Sequence, residues 1–254
     1  MTAETTLTLR RPLEQRVDAS GVAWDALRGL EAKGIEEQPL WIEGGGRARV
    51  ADLFQVSAAP GDQVRLVGDL SLLDGIGAGL AGGTLVVEGD AGWYLGQGMR
   101  GGGIEVRGSA GPQAGAALPG AKRGMTGGEI VIRGSAGPRL GTGCRRGIIA
   151  VEGGVGDGAG RAMLAGTVVA FGPVGAEPGL WSKRGSIVAL GSVTPPVTYR
   201  YACTYRPSYL PVTLGYLKRR YGCPVTPAHL SGLYRRYSGD LAELGAGEIL
   251  VWRP

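Results

Sequence analysis

One glycine pattern repeats along the middle of the chain at a nearly constant interval. The pattern Gly-x-x-Gly-x-x-x-Gly starts at five leading glycines, namely Gly89, Gly108, Gly134, Gly153 and Gly172. A degenerate copy starts at Gly68, and a truncated copy starts at Gly191. Successive leading glycines lie 21, 19, 26, 19, 19 and 19 residues apart, so the period is 19 residues with one seven-residue insertion before Met125. A period of this length is typical of a solenoid, in which each repeat stacks on the previous one.

Apolar residues keep a fixed phase within each repeat. The residues two and four positions before each leading glycine are all apolar, which is the alternation of a strand with one buried face. These seven pairs are Val64 and Leu66, Leu85 and Val87, Ile104 and Val106, Ile130 and Ile132, Ile149 and Val151, Val168 and Ala170, and Ile187 and Ala189. Each repeat is therefore predicted to be one strand followed by corners, where glycine supplies positive φ angles and close backbone approach.

The two patterns together predict a mainly β fold, a right-handed parallel β-helix with a 19-residue repeat. The right-handed connection is the general rule for parallel strands of one sheet. The predicted solenoid covers residues 61–193, between an N-terminal cap region at 1–60 and a C-terminal extended and helical segment at 194–254. A flexible Gly/Ser linker is excluded, because such a linker has no invariant apolar pairs.

The N-terminal region is expected to close the first repeat, whose open edge would otherwise pair with another chain. Residues 5–9 alternate in the manner of a short strand, and residues 24–32 favour a short helix. Residues 39–42 and 47–55 look extended, with a glycine turn between them. This region is thus predicted to combine short strands with one helix.

The C-terminal segment changes character abruptly. A helix is predicted after Pro207, because Leu210, Leu214, Leu217 and Tyr221 follow at helical spacing. A second helix is predicted after Pro227, with apolar residues 230, 233, 234, 237 and 241 on one face. Residues 248–252 read as a strand. Outward positions of the last repeats are apolar (Phe171, Val188 and Leu190), so this segment or a partner is expected to cover them.

The 19-residue period also places two further sets of side chains in line along the predicted stack. Met99, Cys144, Met163 and Ser182 each stand ten residues after a leading glycine and are predicted to form an inward or interfacial ladder of mostly soft side chains. The next positions carry cations, with two more beside them: Arg100, Arg145, Arg146, Lys183 and Arg184. Stacking places these cations in a basic stripe along one edge of the solenoid. A binding surface for an acidic group and a solvated edge are both compatible with this stripe.

Residues suited to catalysis are scarce in the sequence. The chain has one histidine, His229, which lies beside Leu230 in a predicted amphipathic helix and is expected to be structural. The three cysteines Cys144, Cys203 and Cys223 are widely spaced and form no Cys-x-x-Cys pair, so neither a disulfide framework nor a zinc or iron–sulfur site is indicated. We therefore expect no catalytic residues and no metal ligands in this chain.

Charge and hydropathy limit the cellular location and the partners expected for this chain. The net charge of +5 resides in the C-terminal segment, where eight basic residues face three acidic ones after residue 197. No stretch approaches 18 apolar residues, and residues 1–11 lack the apolar core of a signal peptide. A cytoplasmic protein that binds neither membrane nor nucleic acid is expected.

The tandem glycine units resemble those of the C subunit of formylmethanofuran dehydrogenase. The phrases VADLFQVS at 50–57 and RRYSGDLAELGAGEILVW at 235–252 are also similar to this family. A more distant similarity, to the C-terminal domain of the large subunit of glutamate synthase, does not extend to these phrases. The bacterial branch of the family forms the C subunit of the formyltransferase/hydrolase complex. The scarcity of lysine argues against a hyperthermophilic source and favours this branch.

The resemblance implies a non-catalytic structural subunit. In the bacterial complex, formyl groups pass between tetrahydromethanopterin and methylofuran and are released as formate during one-carbon oxidation. The implied partners are amidohydrolase-like, formyltransferase and dehydrogenase-B-like chains, which would carry the catalytic residues. The basic stripe would then meet the acidic polyglutamate tail of the furan coenzyme or an acidic partner surface. No coenzyme is assigned to this chain itself.

Two other functions remain compatible with the sequence. The chain could be the C subunit of a molybdenum- or tungsten-dependent formylmethanofuran dehydrogenase. It could also be an independent β-helix that binds an anionic polymer, which a stable monomer of 26.1 kDa would favour.

Overall fold

The computed structural model describes residues 4–254 and is mainly β. Most strands belong to one open 12-stranded sheet, and four short strands form a second sheet. The strands of the long sheet lie in the order 200–205, 233–239, 246–253, 184–189, 167–170, 146–151, 126–132, 103–106, 84–88, 63–67, 5–9 and 54–57, and those of the short sheet in the order 46–49, 39–42, 17–18 and 73–74.

The N-terminal elements are β1 (Thr5–Leu9), β2 (Val17–Asp18), α1 (Trp24–Leu27), α2 (Ala32–Glu36), β3 (Pro39–Ile42), β4 (Gly46–Arg49), α3 (Val50–Leu53) and β5 (Phe54–Ser57). The strands expected at 5–9 and 39–42 are confirmed. The helix expected at 24–32 ends at Leu27, and a second short helix follows it. The extended stretch expected at 47–55 is interrupted by α3, where Asp52 accepts a hydrogen bond from the backbone N–H of Arg49 at 2.8 Å.

The repeats supply β6 (Gln63–Val67), β7 (Leu73–Asp74), β8 (Thr84–Glu88), β9 (Gly103–Val106), β10 (Thr126–Ile132), β11 (Arg146–Val151), β12 (Thr167–Ala170) and β13 (Arg184–Ala189). All of these except β7 pair in parallel with the next repeat, and equivalent residues stand opposite each other, as Leu85 does Ile104. All fourteen apolar positions predicted to face inward are buried, with exposures of 3% or less.

A second column of contacts runs beside the long sheet. Single residues of successive repeats form parallel bridges, in the order Leu70, Ala91, Ala110, Ala136, Val155 and Val174. Each repeat therefore touches its neighbours both through its strand and through one residue of the segment that follows. Because equivalent positions of successive repeats recur in each column, each step along a column corresponds to one repeat of the chain.

The interior contains the predicted ladder of soft side chains. Met99, Cys144, Met163 and Ser182 are all buried, so they face inward, which is one of the two expected positions. Met125 joins them, because its carbonyl accepts from the N–H of Arg145 just as the carbonyl of Met163 accepts from the N–H of Lys183. The insertion before Met125 therefore protrudes from a corner and leaves the stacking register unchanged.

The C-terminal elements are β14 (Arg200–Tyr205), α4 (Leu210–Tyr221), α5 (Pro227–Ser231), β15 (Leu233–Gly239) and β16 (Ala246–Arg253). The first predicted helix is confirmed, and Gly222 ends it in the left-handed conformation with φ of +70°. The second was predicted to run to residue 241, and this is wrong. Only Pro227–Ser231 is helical, because residues 233–239 pair as a strand with β14 and β16.

Helix α4 packs on the outward face of the long sheet, so the C-terminal segment is the one of the two expected covers that the structure contains. Leu210, Leu214 and Leu217 are fully buried against Val131, Ala150, Val169 and Val188. Glu129 fixes the end of the helix, since it accepts hydrogen bonds from the hydroxyls of Tyr216 and Tyr221. The sheet thus separates two apolar cores, one inside the repeats and one under α4.

Different strands cover the two ends of the stack. At the beginning, β1 adds in parallel to β6, and β5 pairs antiparallel with β1. At the end, β16 adds in parallel to β13, and β15 and β14 follow antiparallel. Tyr199 fills the end of the interior, where its hydroxyl donates to the carbonyl of Gly179 at 3.0 Å and lies 2.6 Å from Oγ of Ser182.

Candidate functional site

The five cations predicted to form a basic stripe lie at one corner of the stacked repeats. Each repeat passes from the inward ladder to this corner. The backbone N–H groups of Arg100, Arg145 and Lys183 donate to carbonyls of the preceding repeat, at 2.7, 2.9 and 2.7 Å. The stacking register therefore fixes the spacing of the side chains. Neighbouring strands are about 4.8 Å apart, so cations two repeats apart are separated by about 10 Å.

Four of the five cations line a single groove with a volume of about 590 Å³. Arg145 and Arg146 form one wall, and Lys183 and Arg184 form the other, two repeats further along. The floor between them consists of small or apolar residues, and Leu244 of the C-terminal segment closes one side. Arg100 does not line this groove, because it lies two repeats before Arg145. We call these four cations and their floor the basic groove.

In residues 4–254, the cations of the basic groove have no carboxylate partner, unlike the arginines along the outward face of the long sheet. Along the outward face of the sheet, Arg65, Arg107 and Arg133 are each held by glutamates, with distances of 2.8 Å from Arg65 to Glu4 and from Arg107 to Glu105. Within residues 4–254, none of the five stripe cations is within ion-pair distance of a carboxylate. Their charge is therefore available to a ligand or a partner.

The insertion contributes two cations that the sequence analysis did not assign to the stripe. Lys122 and Arg123 are exposed at its end. The chain then rejoins the stack where the N–H of Gly124 donates to the carbonyl of Gly143 at 2.8 Å, two residues before Arg145. The signal was present in the sequence, because insertions into a regular repeat commonly map to a binding face.

The four cations of the basic groove are suited to binding carboxylates, and they do not supply a general acid, a general base or a nucleophile. Arginine and lysine remain protonated at neutral pH, and guanidinium groups pair well with carboxylates. Two pairs of cations about 10 Å apart match an extended chain with repeated carboxylates better than a compact anion. The groove is open, so a bound chain could continue past both pairs.

Among the groups most often used in catalysis, Cys144 and Cys223 are buried, His229 is partly buried and Cys203 is exposed. Burial raises the pKa of the Cys144 thiol to about 12 and that of the Cys223 thiol to about 11, so both stay protonated at neutral pH. Burial lowers the pKa of His229, whose Nδ1 accepts a hydrogen bond from the N–H of Thr226 at 3.2 Å. The ring of His229 packs edge-on against that of Trp252, with centroids 4.5 Å apart. Among residues 4–254 there is no cluster of three histidine, cysteine or acidic side chains able to hold a metal ion.

A larger cavity, of about 650 Å³, lies between the N-terminal helices and the first repeat. Trp24, Leu27 and Leu30 contribute apolar surface to it. Its charged lining includes Arg28, which stacks on Trp24 with 5.1 Å from the guanidinium to the ring centroid. We assign the candidate site to the basic groove, because several unpaired charges converge there.

Comparison with known proteins identifies the family. No protein-family model matches the chain, and no curated protein matches it. A solved structure matches it over 98% of its length and 100% of the other chain, with a TM-score of 0.78 and 33% identity. That chain belongs to the crystal structure of the formyltransferase/hydrolase complex (FhcABCD) from Methylorubrum extorquens in complex with methylofuran.

The stacked glycine repeats place the protein in the class of mainly β tandem-repeat proteins. The match along the whole chain then confirms the resemblance seen in the sequence. The protein belongs to the family of formylmethanofuran dehydrogenase C subunits, in the branch found in the formyltransferase/hydrolase complex. The more distant similarity to glutamate synthase stays a prediction. No helix within residues 4–254 has the length and apolar character needed to cross a bilayer.

Proposed function

We propose that the protein is a non-catalytic structural subunit of a formyltransferase/hydrolase complex. This complex would transfer formyl groups between tetrahydromethanopterin and methylofuran and release formate. The observation that carries the proposal is the end-to-end match to a chain of such a complex, at 33% identity. The burial of Cys144 and Cys223 and the partial burial of His229 support the absence of an active site in this chain.

We propose that the repeats form a right-handed parallel β-helix. Two features support it: strands that stack in parallel at equivalent positions, and the second column of single-residue bridges. A chain that returns to the same two columns in every repeat must wind once per repeat, and parallel connections in one sheet are right-handed. The β-helix would span residues 61–193, between the N-terminal cap at 1–60 and the C-terminal segment at 194–254.

The basic groove is proposed to bind an acidic chain. Its occupant would be the polyglutamate tail of methylofuran or an acidic surface of a partner subunit. The unpaired cations Arg145, Arg146, Lys183 and Arg184 support this assignment, with Arg100 extending the surface in one direction. The proposed partners are amidohydrolase-like, formyltransferase and dehydrogenase-B-like chains, and the proposed location is the cytoplasm.

Native mass spectrometry of the protein purified from its own host, with metal analysis of the same sample, tests the assembly. A multi-subunit particle without molybdenum, tungsten or iron–sulfur clusters is expected. The same particle with those metals would identify the alternative, the C subunit of a formylmethanofuran dehydrogenase. A lone species of 26.1 kDa would contradict both and indicate an independent polymer-binding protein.

The basic groove has a separate test. The double variant Arg146→Gln with Arg184→Gln removes one cation from each wall, whereas Arg200→Gln removes an exposed cation on β14 outside the groove. Binding of a fluorescent polyglutamate chain is measured by anisotropy at low and high salt. The double variant is expected to bind about tenfold more weakly, equivalent to about 1.4 kcal/mol, and the control is expected to match the wild type. Equal affinities for all three proteins would refute the groove as the site.

A further inference from the structure

One position in every repeat has a left-handed backbone. Counting from Gly75 with the period and its insertion, this position has φ between +54° and +71° in six successive repeats. It is glycine only at the first and fifth of them. The six residues are Gly75, Tyr94, Gln113, Arg139, Gly158 and Glu177. Four side chains therefore occupy a conformation that residues with a Cβ atom adopt only at a cost.

These four side chains form few contacts within the chain. The ring of Tyr94 packs edge-on against Trp93, with centroids 6.2 Å apart. In the described part of the chain, Gln113, Arg139 and Glu177 make no side-chain hydrogen bond and no ion pair. Folding alone would favour glycine at such positions, as at Gly158. Strained residues of this kind are concentrated at functional sites.

A second position of the repeat also has a left-handed backbone, and in the last repeat this position is occupied by a tryptophan. The left-handed residues at this position are Gly79, Gly98, Gly143, Ala162 and Trp181. Trp181 has φ of +63° and is 49% exposed, so it is unfavourable both in its backbone and in its contact with water. Its indole ring lies under the guanidinium of Arg161, at 3.8 Å from the ring centroid.

Two other exposed tryptophans continue this surface. Trp93 lies under Arg16 at 4.0 Å, and Trp41 lies under Arg47 at 4.8 Å. Trp41 and Trp93 line one shallow groove, and Trp93, Arg139 and Arg161 line the next. The surface is therefore continuous from Trp41 to Trp181. We call it the aromatic face.

The composition of the aromatic face fits a protein partner. Tryptophan and arginine are the residues most enriched among those that dominate the energy of protein interfaces. The charges nearly balance, which disfavours a polyanion: Arg16, Arg47, Arg139 and Arg161 against Asp18, Glu43, Asp74, Asp157 and Glu177. If a whole tryptophan has about 250 Å² of accessible surface, the exposed fractions of Trp41, Trp93 and Trp181 together amount to about 350 Å². One partner of a standard interface buries about 800 Å², so the rings alone supply over two-fifths of it.

We propose that the aromatic face is the docking surface for another protein subunit of the assembly. This inference rests on the proposed function and adds which surface is used and what it recognises. The partner would offer apolar pockets to the tryptophan rings and carboxylate or peptide oxygens to Arg47 and Arg161, whereas Arg16 is already paired with Asp74 at 2.7 Å. The strained side chains are retained because they are used in assembly and not in folding.

The test separates stability from assembly. Arg139→Gly and Trp181→Gly each relieve a left-handed residue and remove a side chain of the aromatic face. Ala162→Gly relieves the same strain and leaves the face intact, so it is the matched control. Each full-length variant is expressed in the native host in place of the wild type. The melting temperature of the purified subunit and the fraction in the multi-subunit particle are measured, the latter by native mass spectrometry.

All three variants are expected to keep or raise the melting temperature. Arg139→Gly and Trp181→Gly are expected to reduce the assembled fraction at least tenfold, and Ala162→Gly is expected to leave it unchanged. Full assembly of both face variants, with the wild type also assembled, would overturn the docking surface and leave the proposed function standing. Failure of the wild type to assemble would overturn both. A homodimer of the wild type that the face variants lose would also overturn the inference, because the occupant would then be a second copy.

Discussion

Replacing Gly77 by alanine is expected to destabilise the protein much more than replacing Gly79 by alanine. The two glycines have the same left-handed backbone, with φ of +68° and +69°. They differ in what an added Cβ atom would meet. At Gly77 it would lie 2.7 Å from Cδ1 of Ile104 and 2.8 Å from Cδ1 of Leu85, inside the stack. At Gly79 no atom lies within 4 Å.

The backbone contribution is shared by both variants. A left-handed conformation costs a residue with a Cβ atom about 1–2 kcal/mol, and the smaller entropy of unfolded alanine offsets about 0.4–1 kcal/mol of this. The Gly79→Ala variant should therefore lose about 1 kcal/mol of unfolding free energy. The Gly77→Ala variant adds overpacking of a closed core, at about 1–3 kcal/mol, and should lose about 2–4 kcal/mol.

Urea denaturation followed by circular dichroism measures the difference, because a change of midpoint at constant slope reports stability. In thermal melts, about 1 kcal/mol corresponds to about 2–4 °C for a protein of this size. Gly79→Ala should melt about 3 °C below the wild type, and Gly77→Ala about 6–12 °C below it. Equal losses in the two variants would refute the packing argument and leave only backbone strain.

Three further predictions concern the C-terminal segment. Leu214→Ala should cost about 2–5 kcal/mol in urea denaturation, whereas Val212→Ala, at a position 71% exposed, should cost almost nothing. Burial lowers the pKa of folded His229 below its ordinary value of 6.5, so the stability that is present above that pH should be lost as the pH falls. Protonation also removes the acceptor of the hydrogen bond from Thr226 N–H. The melting temperature should therefore drop more between about pH 7.5 and about pH 5.5 for the wild type than for His229→Gln; equal drops would exclude this role. A thiol reagent at about pH 8 should label only exposed Cys203 in the native state and all three cysteines in urea, and labelling of two or three in the native state would contradict the burial.

The repeated part of the fold could be predicted from the sequence because the same signal occurs seven times. A single alternation such as Leu85 and Val87 is compatible with many β structures. Seven copies at one interval leave little choice of stacking register. The need for a cover over the apolar outward residues Val188 and Leu190 also followed from the sequence, but whether the C-terminal segment or a partner supplies it did not.

The segment after Pro227 was not predictable in the same way. Its apolar residues fit a helix, but the same residues pair with strands that are distant in the sequence, as Tyr234 does with Trp252. Long-range pairing overrides local periodicity, and no repeat was available here to indicate it. The candidate site was likewise predictable only in part. Four of the five stripe cations came together as the period required, whereas the cations of the insertion depended on how the loop rejoins the stack.

The aromatic face was not visible in the sequence at all. Trp41, Trp93 and Trp181 are far apart in the chain, and nothing in their neighbourhoods marks them as exposed. The left-handed backbone at Tyr94 or Arg139 is also invisible in the sequence, since glycine would be expected there. Only the equivalence of these residues between repeats, read together with their φ angles, shows that side chains replace glycine along one column.

The antiparallel strands at both ends give the stack a defined length. Among residues 4–254, the outermost strands β5 and β14 are each antiparallel to their neighbours, so they interrupt the parallel stacking. Because each repeat adds about 4.8 Å along the stack, the distance between the two ends can change only in steps of that size. A chain with one 19-residue repeat more or fewer would keep both ends and all of its internal contacts. The distance between surfaces at the two ends of this stack is thus set by the number of repeats between them.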